Sequence, residues 1–200
     1  YLAKGNYNVL RLAYLQRLFP DLRIIIPFRD PLDHIASLAK QHRFFLDAHR
    51  QDERVGRHLS LSGHFEFGPH RKAVHFGDDA AWRAIDQAWA NGQEVEGWAR
   101  YWAGTYRYLL SQARSNTGLG QACRFVSYER LCDESGPVID SLLAHCNLDP
   151  RPFEGTRDHY LRHLSRPAYY QHTFSDAEQE RIQAICLPVL TELNTLDASS

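Results

Sequence analysis

The chain has no methionine, no CxxC pair and no apolar run long enough to span a bilayer. Its four cysteines are widely spaced, which fits small buried thiols better than a metal site or a disulfide framework. Charge of one sign is not in excess either, since the formal net charge is -1. That balance argues against a nucleic-acid partner, because such proteins usually carry a basic surplus on one face.

What the chain does have is enough material for one globular domain over residues 1–200, with 44% hydrophobic and 24% charged residues. With no membrane span and no signal peptide, the expected location is the cytoplasm. Arginine supplies 20 of the 23 basic residues. This bias mildly favours anionic ligands, although coding bias explains it more simply. Because the sequence starts at Tyr1 and lacks methionine, we expect it to be part of a longer protein.

A strand, a turn and a helix start follow one another between residues 22 and 37. The near-continuous apolar run at 22–27 predicts a buried strand. Asp30 and Pro31 have the form of a helix N-cap and first helical position, with the helix continuing to about residue 49. Arg29 then lies at the mouth of this helix and Ser37 on its first turns. An arginine and a hydroxyl so placed suit a bound phosphate, so this segment predicts a nucleotide site.

The remaining periodic segments are helices and one more strand. Helical spacing predicts a helix at 10–19, two helices within 80–112 whose aromatic stripe packs in the core, and a helix from residue 129 that is broken at 135–137. Alternation at 123–128 predicts a second strand that leads into this last helix. A capping box at 175–178 opens a terminal helix that Pro188 can kink, and the tail from Asp197 is expected to fray. Strands that lead into helices indicate the α/β class.

Two stretches lack this periodicity. Residues 51–79 are interrupted by glycine and proline but keep several apolar side chains, which predicts a long structured insertion. Because such loops often bind ligands and this one is rich in histidine, it is the segment expected to recognise an acceptor. Residues 149–173 are rich in arginine, histidine, proline and tyrosine and are expected to be irregular.

Three motifs together resemble the sulfotransferases that use 3'-phosphoadenosine 5'-phosphosulfate (PAPS). The first is Arg29-Asp-Pro with Ser37 eight residues after the arginine. The second is Ser127-Tyr-Glu-Arg-Leu131 at the end of the later strand, which is similar to the family's Tyr-Glu-Asp-Leu signature. The third is Lys4, which precedes the arginine by a helix and a strand. The resemblance covers the family's core from its second central strand to its C-terminal helix.

The resemblance implies a three-layer, P-loop-like fold with a central parallel sheet flanked by helices. It implies an enzyme that transfers a sulfuryl group from PAPS to a hydroxyl acceptor. In the family pattern Arg29 and Ser37 bind the 3'-phosphate, and Tyr128 lies near the adenine and this phosphate. Lys4 contacts the sulfuryl group, and Arg166 lies in a segment that often closes over the cofactor, where it is a further candidate for the 3'-phosphate.

The chain departs from the family pattern in two places. The loop that binds the 5'-phosphosulfate would precede residue 1, so the domain is expected to lack its N-terminal strand and this loop. Asn6 stands where some members have a catalytic histidine, and an amide can orient an acceptor but cannot accept its proton. The base is then expected upstream of the chain, or among His34, His64 and Glu66, which are also the candidates for acceptor binding.

The chemistry of sulfuryl transfer does not demand a metal. A sulfate ester carries less charge than a nucleoside triphosphate, and catalysis rests on positioning and on cations near the oxygens. The resemblance implies no metal, and the histidines of 51–79 include no helical i, i+4 pair accompanied by a carboxylate ligand. The expected partner is a small-molecule or glycan acceptor, with no nucleic acid and no membrane span.

Each motif also has a purely structural reading, and other functions stay open. Arg29-Asp-Pro fits a capping turn with a salt bridge, and Tyr128-Glu129 fits an anchored ring beside an acid that complements a helix dipole. A non-catalytic module that binds a nucleotide or sulfated glycan is one alternative. A P-loop nucleotide kinase is a second, and a helical interaction protein built on the aromatic stripe is a third.

Overall fold

Two short parallel strands lie side by side, β1 (Ile24–Phe28) and β2 (Cys123–Ser127). Ile24 is opposite Cys123 and Phe28 is opposite Ser127, so the two strands end level with each other. Both strands occur where alternation and apolar runs predict them. The structure, a computed structural model, describes residues 2–166 and 172–198. Parallel pairing with helical connections is compatible with the α/β class.

Helices make up most of the described chain. None of those in the described residues is long and apolar enough to cross a membrane. Short 3₁₀ segments at Asn6–Arg11 and Arg151–Phe153 precede α1 and α9. In chain order the helices are α1 (Leu12–Leu18), α2 (Pro31–Gln51), α3 (Arg54–Leu61), α4 (Asp79–Ala90), α5 (Glu94–Ser115), α6 (Thr117–Ala122), α7 (Tyr128–Asp133), α8 (Ser135–His145), α9 (Glu154–His163) and α10 (Asp176–Ala198).

The chain divides into two compact units, each with its own core. The first comprises residues 1–30, 107–170 and 190–200, and the second residues 31–106 and 171–189. In the first, both strands bury side chains, among them Phe28 and Phe125. In the second, the aromatic stripe contributes to the core, with Trp98 only 1% exposed, whereas Trp82, Trp89 and Tyr101 are half-buried. That residues 1–200 form a single domain stays a prediction.

The prediction that the insertion at 51–79 lacks helical periodicity was wrong for its first part, where α3 spans Arg54–Leu61. One of the glycines that interrupt the pattern in the sequence, Gly56, lies within this helix. A Cβ at this glycine would lie 2.9 Å from side-chain atoms of His49 and Pro69. The glycine therefore permits close packing in the second unit, which explains why a helix tolerates it here.

The prediction that 149–173 is irregular was also wrong in part, because α9 spans Glu154–His163. This helix buries no residue, so it lacks the apolar periodicity by which helices are recognised in a sequence. It is supported instead by Glu154 in its first turn, by basic residues in its last turn and by an ion pair between Arg157 and Asp140 of α8.

Helix α10 begins as the sequence predicts. The backbone N–H of Ser175 donates to the Glu178 carboxylate at 2.8 Å, and Ser175 Oγ accepts from the Glu178 N–H at 3.4 Å, which completes the capping box. The helix runs unbroken through Pro188 to Ala198. Proline here removes one backbone donor without ending the element.

A second glycine, Gly120, is required because another backbone segment lies very close to it. In α6, a Cβ on Gly120 would lie 2.5 Å from the carbonyl oxygen of Ala113, at the end of α5. A backbone atom cannot move aside as a flexible side chain can. In contrast, a Cβ on Gly104 in α5 would meet nothing within 4 Å. The first glycine is therefore required by packing, whereas the second is not.

Candidate functional site

The carboxyl ends of β1 and β2 carry the two strongest sequence motifs. Because Phe28 and Ser127 are opposite each other, Arg29 and Tyr128 are the first residues beyond neighbouring strand ends. The Arg29 guanidinium lies over the Tyr128 ring, with its central carbon 5.0 Å from the ring centroid. Such cation–π contact is favourable at this distance. Two residues that the sequence assigns to one ligand are therefore neighbours in the first unit.

Glu129 ties the two strand ends together. One of its carboxylate oxygens accepts the backbone N–H of Asp30 at 3.0 Å, and the other accepts the hydroxyl of Ser127 at 3.1 Å. Ser127 Oγ in turn accepts the N–H of Arg130 at 3.2 Å and so caps α7. The carboxylate therefore holds the backbone next to Arg29 against the turn that carries Tyr128.

Asp197 supports the same turn from the end of α10, so the prediction of a frayed tail at this residue was wrong. It is only 4% exposed. Its carboxylate accepts the N–H of Ser127 at 3.4 Å and the guanidinium of Arg130 at 3.1 Å. Arg130 also donates to the Asp197 carbonyl at 2.7 Å. The apolar spacing of Val189 and Leu193 could have indicated that this side of the helix continues into the core.

Other predicted residues of the first unit lie on its surface. Lys4 and Asn6 are exposed, and Asn6 begins the first 3₁₀ segment. The guanidinium of Arg166 donates to the carboxylate of Asp133 at the end of α7, with its Nε 3.0 Å from Oδ1. The roles predicted for these three residues stay predictions. The segment that follows Arg166, 167–171, lies outside the described residues.

Ser37 and His34 lie in the first turns of α2, as the sequence predicts, and both are half-buried. They belong to the second unit. His64 and Glu66 lie beyond α3 in the same unit, and His64 Nδ1 is 3.5 Å from a carboxylate oxygen of Glu66. This brings together two of the residues predicted to handle the acceptor. The Glu66 side chain is largely buried, while His64 is exposed.

Arg71 anchors the segment between α3 and α4, and sequence reasoning did not single it out. Its guanidinium forks onto the Glu94 carboxylate and lies 4.0 Å from the ring centroid of Trp89 and 5.1 Å from that of Trp98. The Arg71 side chain is only 11% exposed. Burial opposes ionisation of Glu94, but the hydrogen bonds from Arg71 and Trp98 outweigh it and lower the pKa of Glu94.

His42 holds the same segment from α2. Its Nδ1 accepts the backbone N–H of Gly68 at 3.2 Å, in a position that is buried. Burial and the neighbouring charge of Arg71 lower the pKa of His42 from 6.5 to about 4. The imidazole is therefore neutral at physiological pH, as its acceptor role requires. The segment between α3 and α4 is consequently held in place at both Gly68 and Arg71.

Comparison with known proteins adds no identification. No protein-family model, curated protein or solved structure matches the chain. Among the described residues, no group of three or more histidine, cysteine or acidic side chains could hold a metal ion.

Proposed function

We propose that this protein is a sulfotransferase that takes a sulfuryl group from PAPS and delivers it to a hydroxyl acceptor. The observation that carries the proposal is the contact between Arg29 and Tyr128 at the level ends of β1 and β2. Ligands of parallel α/β sheets bind at the carboxyl ends of the strands. A guanidinium beside an aromatic ring at this position suits a ligand in which a phosphate group lies beside a nucleobase.

The stacked geometry is compatible with phosphate binding. Stacking engages the face of a guanidinium, whereas its N–H groups project in the plane, which is the direction in which phosphate oxygens are bound. The hydrogen bond from the Asp30 N–H to Glu129 fixes the backbone beside Arg29 before any ligand arrives. Less ordering is then needed on binding, which favours affinity.

In this proposal Arg29 and Arg166 of the first unit bind the 3'-phosphate and Tyr128 lies near the adenine, while the phosphate-binding role of Ser37 in the second unit rests on the family resemblance alone. The sulfur–oxygen bond to the 5'-phosphate breaks while a new one forms to the acceptor oxygen, and adenosine 3',5'-bisphosphate leaves. Lys4 supplies positive charge to the sulfuryl oxygens. No metal is required, and the cytoplasm is the expected location.

The acceptor proton also has to be accommodated. It passes to a base in the proposed enzyme, for which His34, His64 and Glu66 are the candidates in this chain. Asn6 orients the acceptor hydroxyl, since its amide can donate and accept hydrogen bonds but cannot take the proton. The contact between His64 and Glu66 supports a base of the carboxylate-oriented imidazole kind.

The three-layer fold is part of the proposal. Strand β1 buries Ile26 and Phe28 on one face but leaves Ile25 43% exposed on the other. Strands of parallel sheets are normally covered on both faces. A further layer over Ile25 would complete that arrangement, so the exposure of Ile25 supports a sheet that is covered on both faces.

The alternative of a helical interaction protein loses its main argument. It requires the aromatic stripe of α4 and α5 to form an exposed patch. Trp98, Trp102 and Tyr106 are 1%, 3% and 6% exposed. A nucleotide-binding module without transfer activity shares the same binding geometry, so only an assay of transfer distinguishes it from the enzyme.

The proposal is tested by calorimetric titration with adenosine 3',5'-bisphosphate and with adenosine 5'-monophosphate, which lacks the 3'-phosphate. Arg29→Ala should weaken binding of the bisphosphate at least about tenfold, because a charge-assisted contact is lost, and should leave the monophosphate unaffected. Arg23→Ala is the matched control, since Arg23 precedes the opposite end of β1.

Transfer is then measured with radiolabelled PAPS and a panel of hydroxyl acceptors. Bisphosphate binding without transfer would favour the non-catalytic module. The nucleotide site itself is refuted if the bisphosphate does not bind, or if Arg29→Ala behaves like the Arg23→Ala control.

A further inference from the structure

The second unit contains a surface cavity, wide open to solvent, on the segment between α3 and α4, and the nucleotide proposal does not use it. Its volume is about 450 Å³. Clefts that bind small molecules usually measure roughly 300–1,000 Å³. The residues that line it are Ser60, Phe65, Pro69, His70, Arg71 and Lys72.

Hydrogen bonds hold the backbone around this cavity. The N–H of Lys72 donates to the carbonyl of Phe65 at 2.8 Å, which closes the segment into a turn, and the N–H of Arg71 donates to the carbonyl of Gly68 at 3.2 Å. Gly68 has a φ of +81°, a conformation that favours glycine, and His42 accepts its N–H. A site fixed in this way needs little ordering when a ligand binds.

The lining carries an excess of positive charge. The charge of Arg71 is compensated by Glu94, to which it is forked. Lys72 is exposed, and its Nζ lies 5.9 Å from the centroid of the Phe65 ring. Among the residues that line the cavity there is no carboxylate. The cavity therefore favours a ligand that bears a negative charge.

The remaining lining favours a hydroxylated ring. The half-buried Phe65 offers an apolar surface next to the ammonium of Lys72. The hydroxyl of Ser60 donates to the carbonyl of Gly56 at 3.1 Å, so its oxygen can accept a hydrogen bond from a ligand hydroxyl. An apolar wall, a hydroxyl acceptor and an ammonium group within one cavity match the groups of a sugar acid.

We propose that this cavity binds an anionic sugar, with its negative charge on Lys72 and its ring against Phe65. The inference rests on the proposed function in one respect, namely that it assigns the acceptor of the sulfuryl group to this class. The binding site itself is independent of that assignment, because it is built from residues of the second unit alone.

The test is an NMR titration of the whole chain with methyl β-D-glucuronide and with methyl β-D-glucoside, its uncharged counterpart. The glucuronide should bind more tightly, and Lys72→Gln should weaken its binding by about twofold to fivefold, as expected for loss of one exposed charge contact. Lys72→Arg should retain binding. Lys40→Gln is the matched control, since it removes an exposed lysine from α2 of the same unit.

Adenosine 3',5'-bisphosphate binding is measured on the same samples. Equal binding of both sugars, no binding of the glucuronide, or an unchanged affinity in Lys72→Gln would overturn the cavity assignment, while nucleotide binding that depends on Arg29 would keep the proposed function. Conversely, glucuronide binding that depends on Lys72 without any nucleotide binding would support the cavity and refute the sulfotransferase.

Discussion

Replacing Glu129 by alanine should loosen the junction between the two strand ends. The carboxylate of this residue accepts the Asp30 N–H at 3.0 Å and the Ser127 hydroxyl at 3.1 Å. Alanine removes both acceptors and leaves a partly buried backbone donor on Asp30. Glutamine keeps the size of the side chain and one acceptor oxygen but removes the charge.

The magnitude follows from the two hydrogen bonds. A hydrogen bond to a charged group contributes about 1.5–3 kcal/mol to the free energy of unfolding. Because Glu129 is only half-buried, we take about 1–2 kcal/mol for each bond, around the lower end of this range, and the two bonds together give about 2–4 kcal/mol for Glu129→Ala. Glu129→Gln should lower the free energy of unfolding by about 1–2 kcal/mol, because one neutral hydrogen bond is retained.

The assay has to report on the first unit. All four tryptophans lie between residues 82 and 102, in the second unit, so tryptophan fluorescence is unsuitable. Urea unfolding followed by far-ultraviolet circular dichroism gives the free energy, and amide hydrogen exchange gives the protection of the Asp30 N–H itself. That amide should exchange faster in Glu129→Ala than in Glu129→Gln.

The matched control is Glu134→Ala. Glu134 is 57% exposed and forms an i, i+4 ion pair with Arg130, so its loss should cost less than about 0.5 kcal/mol. The reasoning is refuted if Glu129→Ala and Glu134→Ala lower stability equally, or if exchange of the Asp30 amide is unchanged. If Glu129 positions Arg29 as proposed, Glu129→Ala also weakens binding of adenosine 3',5'-bisphosphate.

Three further predictions concern packing and charge. The stability that neutral His42 contributes is fully present above pH 6.5 and should be lost as the pH falls towards about 4, because the unfolded state binds the proton first. Urea unfolding of the protein and of His42→Asn at each pH checks this, and the loss should disappear in the variant. Gly120→Ala should lower the free energy of unfolding by about 1–3 kcal/mol, because the new Cβ overlaps with the α5 backbone. Gly104→Ala should raise it by about 0.5–1 kcal/mol, because alanine favours the helix and its Cβ meets no other atom. Urea midpoints that move in the same direction in both variants would contradict this. Arg71→Lys loses the bidentate ion pair with Glu94 and both ring contacts, so it should lower the free energy of unfolding by about 1–3 kcal/mol, measured by tryptophan fluorescence. Arg54→Lys, in which the original arginine side chain is 89% exposed, should leave the unfolding midpoint unchanged. Equal midpoints for the two variants would refute the anchoring role of Arg71.

The elements that the sequence predicted correctly are those with a local signal. The apolar run before Pro27, the Pro31 helix start and the capping box of Ser175 and Glu178 each depend on residues within a few positions of one another. Helix α9 was missed because it buries nothing, so its sequence has no apolar period to detect. A residue pattern predicts a helix well only when one face of the helix is buried.

The sequence by itself determined the strands, the helices that follow them and the residues at their ends, including Arg29 and Tyr128. It could not determine that Glu129 bonds to Asp30, 99 residues earlier in the chain, or that Asp197 supports the same turn. Those contacts depend on the register of β1 against β2 and on the packing of α10, which arise only when distant segments meet. The physical reason is that short-range propensity acts along the chain, whereas hydrogen bonds between strand ends depend on tertiary packing.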